Sequence, residues 1–128
     1  MTKKKIFLIA GGVLLIILIV MISIMSNGLS EGANVALNGI NLSNIPDGSY
    51  TGVYDFKRWS NTAMVHVKDG KIIGIDIVSD MFGAGVTNSS RETFRRVIDA
   101  QDTRIDAVAG ATVSSKAYLK AIEDAFND

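Results

Sequence analysis

The chain has no cysteine, one proline, one histidine and one tryptophan among its 128 residues. Each scarcity removes a class of chemistry. Without cysteine there is no disulfide, thiol nucleophile, thiolate-held iron–sulfur cluster, c-type haem motif or cysteine-linked lipid anchor. Any redox role must then rest on a cofactor held by other side chains. The lone His66 alternates with Met64 along a strand-like run and lacks the partners of a metal site, so it reads as a structural or exposed strand residue. Asp99, Asp102 and Asp106 form no acid–base pair at a useful spacing, and no catalytic residue or metal ligand is assigned. A basic surplus is also missing. Without Lys3, Lys4 and Lys5, ten Lys and Arg face thirteen Asp and Glu, a net −3 that does not suit nucleic acid.

Apolar sequence is plentiful at one end. Ile6 to Met25 is an uncharged run of 20 residues, long enough to cross a bilayer at ~1.5 Å per residue. Lys3–Lys5 precede it, and the nearest charge beyond it is Glu31. The positive-inside rule keeps residues 1–5 in the cytoplasm and exports the chain beyond the apolar run. A cleaved signal peptide is the rival reading, but its apolar core is shorter, roughly 7–15 residues, and no convincing small-x-small site follows this run. An uncleaved anchor over residues 6–25, inserted in the lipid bilayer, is the preferred account.

Residues 26–45, rich in Gly, Asn and Ser, read as a tether with a short ordered piece near Val35–Leu37. Pro46-Asp47-Gly48 is turn chemistry and opens a domain over residues 46–128. Ser49–Asp55, Ala63–Val67 and Ile72–Ser79 read as three strands, the last two joined by Asp69-Gly70, a hairpin signal. Ser89 with Glu92 three residues on reads as the capping box of a first helix carrying Phe94, Val97 and Ile98. Val113, Ala117, Tyr118, Ala121, Ile122, Ala125 and Phe126 share one face of a second helix. The expected fold is α+β: a small antiparallel sheet of about three strands, two helices packed on it, and one N-terminal transmembrane helix.

The start of the second helix is unusual. Helix N-termini favour an acid in the first turn, because free N–H groups and the macrodipole attract negative charge. The first helix has Glu92 near its start, whereas the second begins Gly110-Ala111-Thr112-Val113-Ser114-Ser115-Lys116, without a carboxylate. Such a start suits an external anion such as phosphate, with Gly110 and Ala111 permitting close approach and Lys116 adding charge. Taken alone, ordinary capping by Thr112 or Ser114, with water on the remaining N–H groups, is the better account.

Asp106-Ala107-Val108-Ala109-Gly110-Ala111-Thr112-Val113-Ser114-Ser115 resembles the flavinylation motif of the FMN-binding domain family. That family includes flavin-carrying subunits of the sodium-pumping NADH:quinone reductase and of Rnf complexes. Asp47–Gly52 and Val67–Ile72 resemble its opening strand and hairpin, so the likeness runs from about Pro46 to Phe126. The resemblance implies FMN joined through its phosphate to the Thr112 hydroxyl. Gly110, Ala111, Val113, Ser114, Ser115 and Lys116 would surround the phosphate, and Asp106 would be read by the transferase. It implies loading from FAD by an exported, Mg-dependent flavin transferase of the ApbE type. Two departures stand out. Ala109 replaces the family's usual Ser or Thr, from which slower modification is expected. The sheet-to-helix loop Ser79–Gly85 keeps glycines but lacks the family's His and Pro. Met81, Phe82 and Gly83 in this loop are expected near the isoalloxazine ring, with core anchoring as the plainer role for Met81 and Phe82.

Other features are weaker. Gly83-x-Gly85-x-x-Asn88 lacks the last glycine and the parallel unit of a dinucleotide loop. Trp59, in an expected hairpin loop with Lys57 and Arg58, suits ordinary partial burial better than a flavin rim. Arg91, Arg95 and Arg96 read as a solvated face, with Glu92 pairing to Arg96. The expected function is a membrane-anchored flavoprotein electron carrier outside the cytoplasm, more a redox-complex subunit than a stand-alone enzyme. Its donor is expected to be a membrane quinone or a redox membrane protein. The alternative is a membrane-tethered, non-redox binding or assembly domain without covalent flavin.

Overall fold

The computed structural model describes residues 2–80 and 87–127. The chain divides into two compact units, Met1–Ser30 and Glu31–Asp128. The first is built on helix α1 (Lys3–Ser26), which is long and apolar enough to cross a membrane and buries none of its residues. The short helix α2 (Leu29–Ala33) follows it.

The second unit carries a three-stranded antiparallel meander: β1 (Gly48–Tyr54), β2 (Asn61–Lys68) and β3 (Lys71–Asp80), in that spatial order. A 3₁₀ turn, Lys57–Trp59, joins β1 to β2. Asp69 and Gly70 link β2 to β3 at φ 53° and 76°, the paired left-handed conformation of a type I′ hairpin turn. β2 alternates strictly: Ala63, Val65 and Val67 point into the core, while Met64 and His66 take the other face.

Helices α3 (Asn88–Ala100) and α4 (Thr112–Ala125) pack behind the sheet. Phe94 and Val97 of α3 meet Leu119, Ala121 and Ile122 of α4 and Ala63, Val65, Val67 and Ile72 of the strands in one core. At Gly52 the β1 backbone passes so close to α4 that an added Cβ would collide with the Ala121 carbonyl oxygen and the Ala125 nitrogen. Gln101 ends α3 in the left-handed conformation. Its side chain then bonds both backbone groups of Ile72, at 2.7 and 3.0 Å, fixing the end of α3 to β3.

Three expectations need correction. Residues 35–45 are not a free tether, because Leu37, Ile40, Leu42 and Ile45 pack against the core. The Asn38 and Gly39 amides donate to Glu123 Oε1 at 2.8 and 3.2 Å. This strap covers a second side of α4, so Leu119 and Glu123 are buried as well as the anticipated apolar face, whereas Tyr118, Ala125 and Phe126 are only half-buried. The capping box of α3 is Thr87 with Ser90, not Ser89 with Glu92. Ser90 Oγ accepts from the Thr87 amide at 2.8 Å, while the Glu92 carboxylate is taken by Arg95 and Arg96.

Candidate functional site

The connection between α3 and α4 is fixed at several points. Asp102 Oδ1 accepts from the amides of Thr103 and Arg104 at 2.7 and 3.2 Å, and the Arg104 guanidinium holds its carboxyl below the usual carboxylate range. Arg96 donates to the carbonyl oxygens of Asp106 and Ala107 at 2.9 and 3.3 Å and is itself held by Glu92 at 3.0 Å. Ser115, 1% exposed, accepts from the Val108 amide at 3.2 Å and from the Thr93 hydroxyl at 3.4 Å. The two helices thus clamp the loop between them, leaving Asp106, Ala109 and Gly110 exposed.

The loop delivers the chain to α4 in a particular way. Gly110 sits at φ 80°, where an L side chain would be strained. Ala111 occupies the cap position, and its methyl group cannot accept a hydrogen bond. Thr112 is the first helical residue and is exposed, so neither Thr112 nor Ser114 acts as the N-cap. Among the described residues no side chain caps the helix, and its first turn contains no acid. α3 also lacks a first-turn acid, so Glu92 no longer separates the two starts. They differ instead in capping: α3 closes its own with Thr87 and Ser90, and α4 has no equivalent. Free N–H groups and the positive end of a 14-residue dipole therefore surround an exposed threonine hydroxyl.

The other expected site residues separate. Val113 is a core-side residue against Gly32, and Ser115 is the loop anchor just described. The Lys116 ammonium donates to the Ala33 carbonyl at 2.6 Å and reaches that of Val35 at 3.5 Å. It thus serves the C-terminal end of α2, where cations are favourable, and not the start of α4. Met81, Phe82 and Gly83 lie outside the described residues.

Ser114 lines a cleft of about 270 Å³, just below the ~300–1,000 Å³ usual for small-molecule sites. Arg58, Trp59 and Asn61 form one wall, and Asp80, Thr87, Ser89 and Tyr118 contribute to the rest. Burial, and then the charge of Asp80, raise the Tyr118 hydroxyl above its ordinary pKa. The Arg58 guanidinium stacks on Trp59, 4.4 Å from the ring centroid. Residue spacing did not reveal this cleft, because its walls come from four separate segments. The one sequence cue was Lys57-Arg58-Trp59, a cation–aromatic cluster in a loop.

His66 has partners that spacing did not disclose. Its Nδ1 lies 2.8 Å from Ser49 Oγ and its Nε2 2.6 Å from Asp76 Oδ2. This relay spans all three strands but sits on the open face of the sheet, and none of its members lines the cleft. It cross-links the strands.

A model of the FMN-binding domain family matches residues 60–127, from just before β2 through α4. The curated proteins contain no match to the chain.

Proposed function

Since the chain belongs to the FMN-binding domain family, we propose that it is a membrane-anchored flavoprotein electron carrier, with FMN joined as a phosphoester to Thr112. One observation carries the assignment: an exposed threonine hydroxyl at the first position of a helix that has neither a cap nor an acid. A phosphate there would meet free backbone N–H groups and the positive end of the dipole. The residues present fit the rest of the cofactor. Ser114, in the same helical turn as Thr112, opens onto a cleft whose lining includes the aromatic side chains of Trp59 and Tyr118. The cleft's volume suits one ring system better than a whole nucleotide, which agrees with a phosphate held outside it.

When bound, flavin supplies redox chemistry in one- or two-electron steps, and the protein supplies position and electrostatics. In this chain Gly110 lets the backbone approach closely, Arg96 and Ser115 hold the loop before Thr112, and Trp59 and Tyr118 give the cleft its aromatic lining. Asp106 remains exposed for a transferase to read. Lys3–Lys5 at the start of α1 favour a cytoplasmic N-terminus and with it a domain outside the cytoplasm, where a freely dissociating cofactor would be lost. Loading would then fall to an exported, Mg²⁺-dependent ApbE-type flavin transferase, which would break the pyrophosphate bond of FAD, pass the FMN phosphoryl group to the Thr112 hydroxyl and release AMP. Electrons would arrive from a membrane quinone or a redox membrane protein.

The test is co-expression with such a transferase, comparing the wild type with Thr112→Val and Thr112→Ser by flavin fluorescence in denaturing gels. The wild type is expected to fluoresce, Thr112→Val to be dark while still folding, and Thr112→Ser to retain signal. A fluorescent Thr112→Val band would overturn the site. A dark wild type beside a loaded control protein would favour a tethered, non-redox binding domain.

A further inference from the structure

The turn between β1 and β2 gathers aromatic rings and cations in one place. Lys57, Arg58 and Trp59 form the 3₁₀ turn, and Phe56 stands at its N-terminal end. The rings of Tyr54 and Phe56 have centroids 5.9 Å apart, and those of Phe56 and Trp59 6.0 Å apart. The Arg58 guanidinium lies 4.4 Å from the Trp59 centroid, and the Lys57 ammonium 5.6 Å from that of Phe56. Lys57 is exposed and sits at φ 50°, a left-handed conformation that costs energy for a residue with a side chain. Phe56, Arg58 and Trp59 are half-buried, each keeping part of its surface in solvent. The cluster is also close to α1 along the chain. A Cβ added at Gly32 would lie 3.3 Å from the Phe56 ring. Residues 27–31 alone link Gly32 to Ser26, the last residue of α1, and six residues of chain span at most ~22 Å.

We propose that this turn rests on the phospholipid headgroup layer of the membrane that α1 crosses, with Trp59 in the interface and Lys57 reaching lipid phosphates. The proposal rests on the membrane-anchored part of the reading above and is independent of flavin attachment. Tryptophan favours the membrane–water interface, because its amphipathic ring meets both phases there. A lysine stem can lie along apolar surface while its ammonium reaches a phosphate. Two acids accompany the cations: Asp55, which accepts from the Ser60 hydroxyl at 3.0 Å, and Glu31 of α2. The cluster therefore carries no surplus charge, and its partner is the phosphate-bearing interface common to phospholipids, not an anionic lipid in particular. So short a link makes docking intramolecular, at an effective concentration of roughly millimolar order, and a contact too weak to hold a free domain is then sufficient. Arg58 and Trp59 also line the cleft beside Ser114. A docked turn thus brings that cleft to the membrane surface, within reach of a membrane-bound electron partner.

The test uses the full chain in phosphatidylcholine nanodiscs, prepared with and without a nitroxide on the lipid headgroup. A nitroxide quenches fluorescence only near contact, and Trp59 is the one tryptophan. The ratio of the two emissions cancels any quenching within the protein. Trp59 emission is expected to fall with the headgroup label, and to fall less with a nitroxide at the end of the acyl chain. Lys57→Glu sets a carboxylate against the phosphates and is expected to lower the headgroup quenching about twofold or more, with an unchanged thermal melt. Equal Trp59 emission in labelled and unlabelled nanodiscs overturns the docking without depending on any variant's folding. A Lys57→Glu chain quenched as fully as the wild type overturns it too. A chain that does not enter the nanodiscs overturns the anchored reading together with the docking. Transferase loading, read by mass on the same chain, reports separately: quenching without loading would sink the Thr112 reading alone, and loading without quenching the docking alone.

Discussion

Glu123 ties the strap to the domain, and its removal has a cost set by its partners. The residue is 3% exposed. Its Oε1 accepts from the amides of Asn38 and Gly39 and from the Thr103 hydroxyl at 2.9 Å, while Oε2 pairs with the Lys120 ammonium at 2.8 Å. Glu123→Ala removes all four bonds, strands two amides and a hydroxyl, and leaves the Lys120 ammonium with the Ala36 carbonyl at 3.2 Å. Breaking a buried charge pair costs about 3–5 kcal/mol. Lys120 is partly solvated, its side chain 18% exposed, which places the loss near the lower limit, about 3 kcal/mol. Total stability is only about 5–15 kcal/mol. At ~4–8 °C per kcal/mol for a domain of this size, the melting temperature should fall by roughly 12–24 °C. Glu123→Gln keeps an oxygen for Asn38, Gly39 and Thr103 and loses mainly the ion pair, so it should cost about 1 kcal/mol. Thermal melts read through Trp59 report on this unit alone, because α1 contains no tryptophan. Hydrogen exchange adds a local readout, since the Asn38 and Gly39 amides should lose protection in Glu123→Ala. A fall of only a few degrees with those amides still protected would refute the latch.

Gly52→Ala should destabilise by more than the ~1–3 kcal/mol usual for overpacking, because the new Cβ meets backbone atoms of α4 that cannot rotate away; a wild-type melt would refute this contact. Arg95 and Arg96 hold the Glu92 carboxyl down to about 2 from its ordinary 4.5. Its stabilising contribution is therefore complete above pH 4.5 and is lost as the pH falls toward 2. Acid titration of Glu92→Gln should show a shallower loss across that window than the wild type; some slope should remain, since Asp102 shifts in the same direction. Lys116→Met should expose the amides around Val35 to exchange while leaving flavin loading intact, since the ammonium bonds strap carbonyls. Lost loading with unchanged exchange would return Lys116 to the helix start.

The fold was legible wherever local chemistry and tertiary packing agree. The alternation of β2, the Asp69-Gly70 turn and the helical periods of α3 and α4 each have one low-energy solution, and together they dictate the meander with two helices. The strap was not legible, because Gly39, Asn38 and Asn41 resemble a linker until Glu123, 84 residues beyond Gly39, accepts from the amides of Asn38 and Gly39. Ser89-x-x-Glu92 matched the usual capping pattern better than Thr87-x-x-Ser90, but two neighbouring arginines compete for Glu92. At the site, the missing acid before Thr112 could be read directly, whereas the missing cap could not, because Thr112 and Ser114 are ordinary capping residues and only the fold puts Ala111 at the cap position. The cleft could not, because its walls come from four separate segments that only folding brings together.

The most direct test of the central claim is the mass of the tryptic peptide Ile105–Lys116, which contains Thr112 as its one threonine, after the full chain is treated with flavin transferase, FAD and Mg²⁺. The account predicts a gain of one FMN less one water, localised to Thr112 by fragmentation. An unmodified peptide from a folded chain, beside a control protein that loads fully, would contradict it.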